Sequence, residues 1–231
     1  IEIKKFLILQ FLIRNKMIAI GKKSTINKFR TMKRIFSSFL ITFFICFSTN
    51  SWVAAYSSDP EKFISEIINE AKIILNSQDT KEVKAEKLSL IALKTVDVKG
   101  IGYYTLGKKR KEITPDQKQK YEVLFEKYFL KSFTSRLTDY SDPKISVLSA
   151  ERVNEKYTIV KSMLLKTEKR PEVKINWRVY TKDPEKPLIR DLIIEGLSLA
   201  RTQKEEFASI LSSNNNDINA LFKTLEEFSN K

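Results

Sequence analysis

Residues 196–200 have the residue types of a site for nucleophilic chemistry. Gly196, Ser198 and Ala200 stand one residue short of the G-x-S-x-G motif, in which a serine at a sharp strand-to-helix turn attacks an acyl group. An apolar run precedes this turn in the sequence, and a helical pattern follows it. One hypothesis is therefore a hydrolase acting on a lipid, with Ser198 as the nucleophile.

The composition argues against catalysis at Ser198. A nucleophilic serine needs an adjacent general base, usually histidine, and the 231-residue chain contains no histidine. The sequence has no S-x-x-K stretch at Ser198 and no glycine-rich phosphate-binding loop. Cys46 is the single cysteine, so the usual ligands of a zinc, haem or thiol site are lacking. We expect no catalytic residue, no metal and no cofactor.

The positive charge of the chain is concentrated near its N-terminus. The formal net charge is +14, and residues 1–55 contribute ten basic residues against a single acidic one, Glu2. Over residues 56–231 the charges are mixed in sign along the sequence, as on a solvated surface. Nucleic acid is therefore not an expected partner.

Residues 32–55 have the order of a secretory signal peptide. A positive segment at Met32-Lys33-Arg34 precedes the apolar residues 35–47, and a V-x-A cleavage signal precedes Tyr56. The apolar run is too short to span a bilayer. This order predicts export of the chain to the periplasm and removal of the segment.

The segments on either side of this peptide complete the predicted organisation. Residues 1–31 are either upstream sequence joined to the reading frame, with Met32 as the true start, or an additional N-terminal anchor. Cys46 lacks the small preceding residue of a lipidated cysteine, so we expect it to be removed with the signal. Residues 56–231 are then long enough for one domain with its own core.

Capping signals indicate where the helices of this domain begin. Asp59-Pro60 predicts one helix, and Thr114-Pro115 with Gln117 predicts a long helix over roughly 115–140. The long helix carries aromatic residues at helical spacing. Further helices are expected over 80–96, burying Val83, Leu88, Ile91 and Leu93, over 97–106 before Gly107, and over 199–212 and 217–229.

The hydrophobic period changes from 3.6 to 2 in the second half of the domain. EVKINWRVY alternates apolar with polar residues, and segments 144–152, 156–167 and 188–195 also resemble strands. The connections between them are short and polar, which favours an antiparallel meander. We predict an α+β fold in which about five helices pack on one face of a four-stranded antiparallel sheet.

Two stretches resemble the signatures of the MlaC, or toluene-tolerance, auxiliary family. The first is LGKKRKEITPDQKQKYEVLFEKYFLKSFTSRLTDY, residues 106–140. The second is RDLIIEGLSLARTQKEEFASIL, residues 190–211, which contains D-x-x-x-E-G-x-S. The resemblance extends over about 59–225, but residues 141–172 match only in pattern, so lipid preference is not carried over.

This resemblance implies a periplasmic carrier that holds a phospholipid in a cavity between sheet and helices. Such carriers pass lipid between an outer-membrane lipoprotein complex and an inner-membrane ABC transporter with an MCE-domain component, and so maintain outer-membrane lipid asymmetry. Phospholipid and these two complexes are then the expected partners of a monomeric chain. The candidate cavity residues lie on the long helix and the inner sheet face, and they are Leu106, Tyr121, Leu124, Phe125, Tyr128, Phe129, Phe133, Val173, Ile175, Trp177, Val179 and Ile194.

The same resemblance gives the segment around Ser198 a structural interpretation. Gly196 is expected to provide the sharp turn, and Ser198 to cap the following helix. Asp191 and Glu195 are placed on one strand face, where they either hold the turn or face solvent. An adaptor domain whose own side chains fill the core is the alternative to a carrier.

Overall fold

The computed structural model describes residues 56–138, 143–168 and 171–230. The predicted signal peptide and residues 1–31 lie outside these ranges. The helices are α1 (Pro60–Asn76), α2 (Lys81–Thr95), α3 (Val98–Thr105), a 3₁₀ helix (Gly107–Lys111), α4 (Pro115–Leu137), α5 (Leu199–Ser213) and α6 (Ile218–Asn230). The strands are β1 (Ile145–Asn154), β2 (Tyr157–Leu164), β3 (Val173–Tyr180), β4 (Leu188–Ile194) and β5 (Leu197–Ser198).

The predicted capping residues begin the helices as expected. The Asp59 carboxylate accepts from Lys62 N at 2.9 Å at the start of α1. Thr114 and Gln117 exchange side-chain-to-backbone hydrogen bonds at the start of α4, which forms a complete capping box. Such bonds satisfy backbone N–H groups that have no partner inside the helix.

Helix α2 faces the core with a different side from the predicted one. Val83 is 37% exposed and Leu93 is 45% exposed, so the prediction that both are buried is wrong. The buried positions are Leu88, Ile91, Ala92 and Thr95, which follow the spacing of one helix face. The sequence is ambiguous here because apolar residues occur on both sides of α2, and its packing on α1 and α4 decides which side is buried.

The sheet is an antiparallel meander in the order β1-β2-β3-β4-β5. It has five strands where the sequence predicted four, because the two-residue strand β5 pairs with Ile193 and Ile194 at the end of β4. Such a short strand leaves no alternating pattern in the sequence. The described residues contain six α-helices, against about five predicted, and none of these helices is long and apolar enough to cross a membrane.

The buried apolar residues form two clusters. The helical cluster is built from α3, α4, α5 and α6 with Leu106, and it includes Phe125 and Phe207. The sheet cluster packs α1 and α2 against strands β2, β3 and β4, and it includes Phe63 and Val179. Val96, between α2 and α3, packs against both clusters. The interior therefore has two parts that meet beside Val96.

Candidate functional site

The inner face of the sheet is the face that packs on α1 and α2. Its β3 residues are Val173, Ile175, Trp177 and Val179, since alternate residues of a strand point to the same side. Directly opposite in β2 lie Leu164, Ser162, Val160 and Thr158, in that order. Sequence analysis missed this β2 row, because YTIVKSML does not alternate apolar with polar residues and its inner face includes Thr158 and Ser162.

Burial decreases along the β3 and β4 residues of this inner face, whereas the β2 row is buried throughout. Val179 and its β4 partner Ile189 are buried in the sheet cluster. Val173, Ile175 and Ile194 are only half-buried, and they belong to neither cluster of the described residues. Ile175 and Ile194 are register partners, so their side chains lie side by side. We call Val173, Ile175 and Ile194 the open inner face, a group of half-buried apolar residues outside both core clusters.

Trp177 lies between the buried part and the open part of this face. Its indole Nε1 donates to Ser162 Oγ at 2.9 Å, and that hydroxyl donates to the Ile175 carbonyl at 3.0 Å. Ser162 is itself buried. The indole N–H of Trp177 and the Ser162 hydroxyl are therefore both hydrogen-bonded, and the surface beside Trp177 is apolar.

The predicted cavity residues of α4, together with Leu106 before the 3₁₀ helix, separate into two groups. The first group is buried in the helical cluster and not in the sheet cluster, and it consists of Leu106, Tyr121, Leu124 and Phe125. Farther along α4 the aromatic residues are half-buried: Tyr128 and Phe129 pack at the edge of the helical cluster, and Phe133 stacks on Phe129 with ring centroids 6.0 Å apart. The exposed aromatic surface of α4 is therefore in its C-terminal half.

Tyr121 has the contacts of a structural core residue. Its hydroxyl donates to the Gly102 carbonyl at 3.1 Å and lies 2.9 Å from Thr105 Oγ1. Burial raises the pKa of the Tyr121 hydroxyl above its ordinary value, because a buried site favours the neutral form.

The turn after β4 is held by a buried carboxylate. Asp191 is 4% exposed, and it accepts from Ser198 Oγ at 2.6 Å and from Ala200 N at 3.0 Å. Arg178 NH1 lies 3.6 Å from the same carboxylate. Ser198 Oγ also accepts from Arg201 N at 3.1 Å and thereby caps α5. The Ser198 hydroxyl therefore has both a donor and an acceptor role within the fold.

Glu195 and Gly196 form the turn itself. Both have positive φ, 49° at Glu195 and 85° at Gly196, and only glycine adopts the second value without strain. The expectation that Glu195 shares a strand face with Asp191 is wrong, because β4 ends at Ile194. Glu195 instead accepts a hydrogen bond from Lys174 N with its carboxylate, which ties the turn to β3.

Two surface pockets border α4 on its helical side. One of 250 Å³ is lined by residues of α3 and α4 that include Gly102, Tyr103 and Glu122. The other, of 400 Å³, is lined by the N-terminal half of α4. Neither is lined by a sheet residue, and the predicted cavity between sheet and helices stays a prediction. Among the described residues, no group of three or more His, Cys, Asp or Glu side chains could hold a metal ion.

Comparisons with known proteins give one family model and a similar solved structure. A family model described as MlaC protein matches residues 65–227. The chain is similar in structure to a phospholipid-binding protein from Ralstonia solanacearum, solved in complex with a phospholipid. The TM-score is 0.61 and the identity 18%, with 72% of this chain and 94% of that chain covered. A search of the curated proteins gives no significant match.

Proposed function

Because the chain belongs to the MlaC family, we propose that it is a periplasmic phospholipid carrier. The observation that carries this proposal is the open inner face, where Val173, Ile175 and Ile194 form an apolar surface outside both core clusters. The half-buried Phe133 on α4 offers further apolar surface. The similar Ralstonia solanacearum protein holds a phospholipid on a related fold, which supports the proposal.

The energetics of the cargo explain why such a surface is needed. A phospholipid with two long chains has roughly 30 apolar carbons, and removing each from water is worth about 0.8 kcal/mol. The total is on the order of 20 kcal/mol before the costs of binding, so the chains cannot be carried exposed to water. A concave apolar surface with a polar rim provides the required environment.

Family membership supports a proposal for the wider role. We propose that residues 32–55 direct export, and that the mature chain shuttles phospholipid between an outer-membrane lipoprotein complex and an inner-membrane MCE-type ABC transporter. We propose no catalytic step, because the Ser198 hydroxyl serves the helix cap and the Asp191 carboxylate. The protein then needs no cofactor besides its cargo.

Mass spectrometry of the bound lipid tests the proposal. The whole chain is expressed in a Gram-negative host, purified without detergent and analysed both as the native protein and after lipid extraction. We expect phospholipid at near-stoichiometric amount. Protein that is folded by circular dichroism and carries no phospholipid would contradict the proposal.

A pair of variants in β3 then locates the lipid. Ile175→Glu places a carboxylate on the open inner face, where an unpaired charge beside acyl chains costs several kcal/mol. Asn176→Glu adds the same charge to the opposite face of the same strand. We expect the first variant to stay folded and lose its lipid, and the second to retain it. Equal lipid loads in the two variants would place the lipid elsewhere.

Trp177→Glu separates cavity wall from core at the neighbouring position. If Trp177 borders the lipid, the variant stays folded and loses its load. Because Trp177 also packs on the sheet cluster and bonds to Ser162, unfolding of the variant would assign it to the core instead. A folded variant with a full load would mean that the lipid lies on the other side of the sheet.

A further inference from the structure

The 3₁₀ helix between α3 and α4 consists of a glycine followed by four consecutive basic residues. Lys108, Arg110 and Lys111 are exposed. Lys109 differs, since its side chain is 19% exposed and pairs with Glu112 at 3.2 Å. Lys108, Arg110 and Lys111 have no ion pair with any of the residues that the structure describes. Three solvated cations therefore lie within four consecutive residues.

Helix α5 adds a fourth cation and an aromatic ring to this surface. Gly107 has a φ of 57° and packs closely on Lys204, whose Cε lies 3.2 Å from the position of an ideal Cβ. The Lys204 ammonium lies 5.1 Å from the centroid of the Tyr104 ring, which is 41% exposed. We call Lys108, Arg110, Lys111 and Lys204, together with Tyr104, the basic patch.

The basic patch differs from other parts of the described surface because its unpaired cations are clustered. Elsewhere several exposed lysines pair with acids, as in Lys87–Asp79 at 2.5 Å and Lys161–Glu151 at 2.7 Å. Such alternating charges give little attraction for a partner of one sign. The basic patch keeps its positive charge uncompensated, which suits a partner with an extended negative surface.

We propose that the basic patch docks the protein on the anionic surface of a phospholipid bilayer. Clusters of lysine and arginine bind anionic headgroups, and tyrosine is enriched at the level of the headgroups because its ring is amphipathic. The choice of a bilayer over an acidic protein rests on the proposed function, since a lipid carrier collects and delivers its cargo at membranes. The exposed Tyr104 within the cations also favours the bilayer.

Vesicle binding by charge-neutralised variants tests this proposal. The basic-patch variant is Lys108→Gln, Arg110→Gln and Lys111→Gln combined. The control is Lys166→Gln, Lys182→Gln and Lys186→Gln, which removes the same charge from exposed positions on the loops after β2 and β3. Both are expressed as the whole chain and purified in the same way as wild type. Cosedimentation is measured with phosphatidylcholine vesicles and with phosphatidylcholine–phosphatidylglycerol vesicles.

We expect wild type to bind the anionic vesicles but not vesicles of pure phosphatidylcholine. Binding to the anionic vesicles should weaken as salt is added. Each basic residue near an anionic surface contributes about a five-fold increase in binding, so the basic-patch variant should bind up to roughly a hundred-fold more weakly. The control should stay within a few-fold of wild type. A Tyr104→Ser variant should also bind more weakly, which a purely electrostatic attraction would not predict.

Several results would overturn the proposal. They are equal losses in the two triple variants, unchanged binding by the basic-patch variant, and equal binding to neutral vesicles. Binding of wild type to polyglutamate but not to anionic vesicles would identify an acidic protein surface instead. The phospholipid content of the same samples is measured in parallel. A protein that contains phospholipid but does not bind anionic vesicles refutes only the proposed docking surface. A protein that contains no phospholipid refutes the proposed carrier function.

Discussion

Removing the Ser198 hydroxyl is expected to destabilise the fold more than the loss of a helix cap would. In Ser198→Ala, α5 loses the hydrogen bond to Arg201 N. The buried carboxylate of Asp191 simultaneously loses its 2.6 Å partner. It keeps Ala200 N at 3.0 Å and the more distant Arg178 guanidinium. The Ser198 hydroxyl oxygen thus caps α5 and also donates a hydrogen bond to the buried Asp191 carboxylate.

The size of the effect follows from these two contacts. A lost N-cap costs about 1 kcal/mol, and a lost hydrogen bond to a charged group costs about 1.5–3 kcal/mol. The two losses overlap because they share one atom, so we expect the free energy of unfolding to fall by about 2–3 kcal/mol, less than their sum. Ser198→Thr keeps the hydroxyl and should lose far less. Ser212→Ala, at an exposed position near the end of the same helix, should change stability by about 0.5 kcal/mol or less.

Urea unfolding followed by far-ultraviolet circular dichroism measures these differences. Lipid content and hydrolysis of p-nitrophenyl esters are measured on the same preparations, and we expect no hydrolysis by wild type. The reasoning is refuted if Ser198→Ala unfolds at the same urea concentration as Ser212→Ala. It is also refuted if Ser198→Thr is as unstable as Ser198→Ala. An esterase activity that disappears in Ser198→Ala would restore the hydrolase hypothesis.

Three further predictions concern other parts of the chain. Gly102→Ala places a Cβ 2.8 Å from the Phe125 ring, so crowding should outweigh the gain in helix propensity and lower the free energy of unfolding by about 1–2 kcal/mol in the same urea assay. Burial raises the pKa of Tyr121, so the stability linked to this residue is complete below its unfolded pKa of about 10 and is lost as pH rises further. In urea unfolding between about pH 9 and about pH 11, Tyr121→Phe should therefore lose less stability than wild type. An equally steep loss in the two proteins would contradict the argument. N-terminal sequencing of the exported protein should begin at or near Tyr56, and a mature chain that retained residues 1–31 would contradict the predicted signal peptide.

Local signals in the sequence were sufficient to predict most elements of the fold. The caps at Asp59 and Thr114 depend on contacts within one turn, so they can be recognised without knowing the tertiary structure. The alternation of β3 likewise reports one buried sheet face. Strand β5 could not be predicted, because two residues contain no periodicity and pair only where the Gly196 turn returns the chain to β4.

The division of the candidate cavity residues could not be predicted either. Tyr121, Phe125 and Phe133 share the helical spacing of α4, but the first two are buried against α3 and α5 and the third is half-buried. The burial of each of these residues depends on where the other helices lie. The helical spacing of α4 contains no information about their positions. The role of Asp191 was open for the same reason, since its partners Ser198 and Ala200 become neighbours only through the turn.

The two-part interior has a consequence for how the molecule opens. A cooperative unit is held together by the contacts within it, so amide hydrogens in the helical cluster and in the sheet cluster are expected to exchange with solvent as two separate groups. The links between them include Val96, the packing of α2 on α4, and the ion pair in which Arg190 lies 2.6 Å from Asp97. Partial opening between the helical cluster and the sheet cluster exposes less apolar surface than unfolding either cluster. Hydrogen exchange faster than global unfolding should therefore begin in the segment that contains Val96 and Asp97.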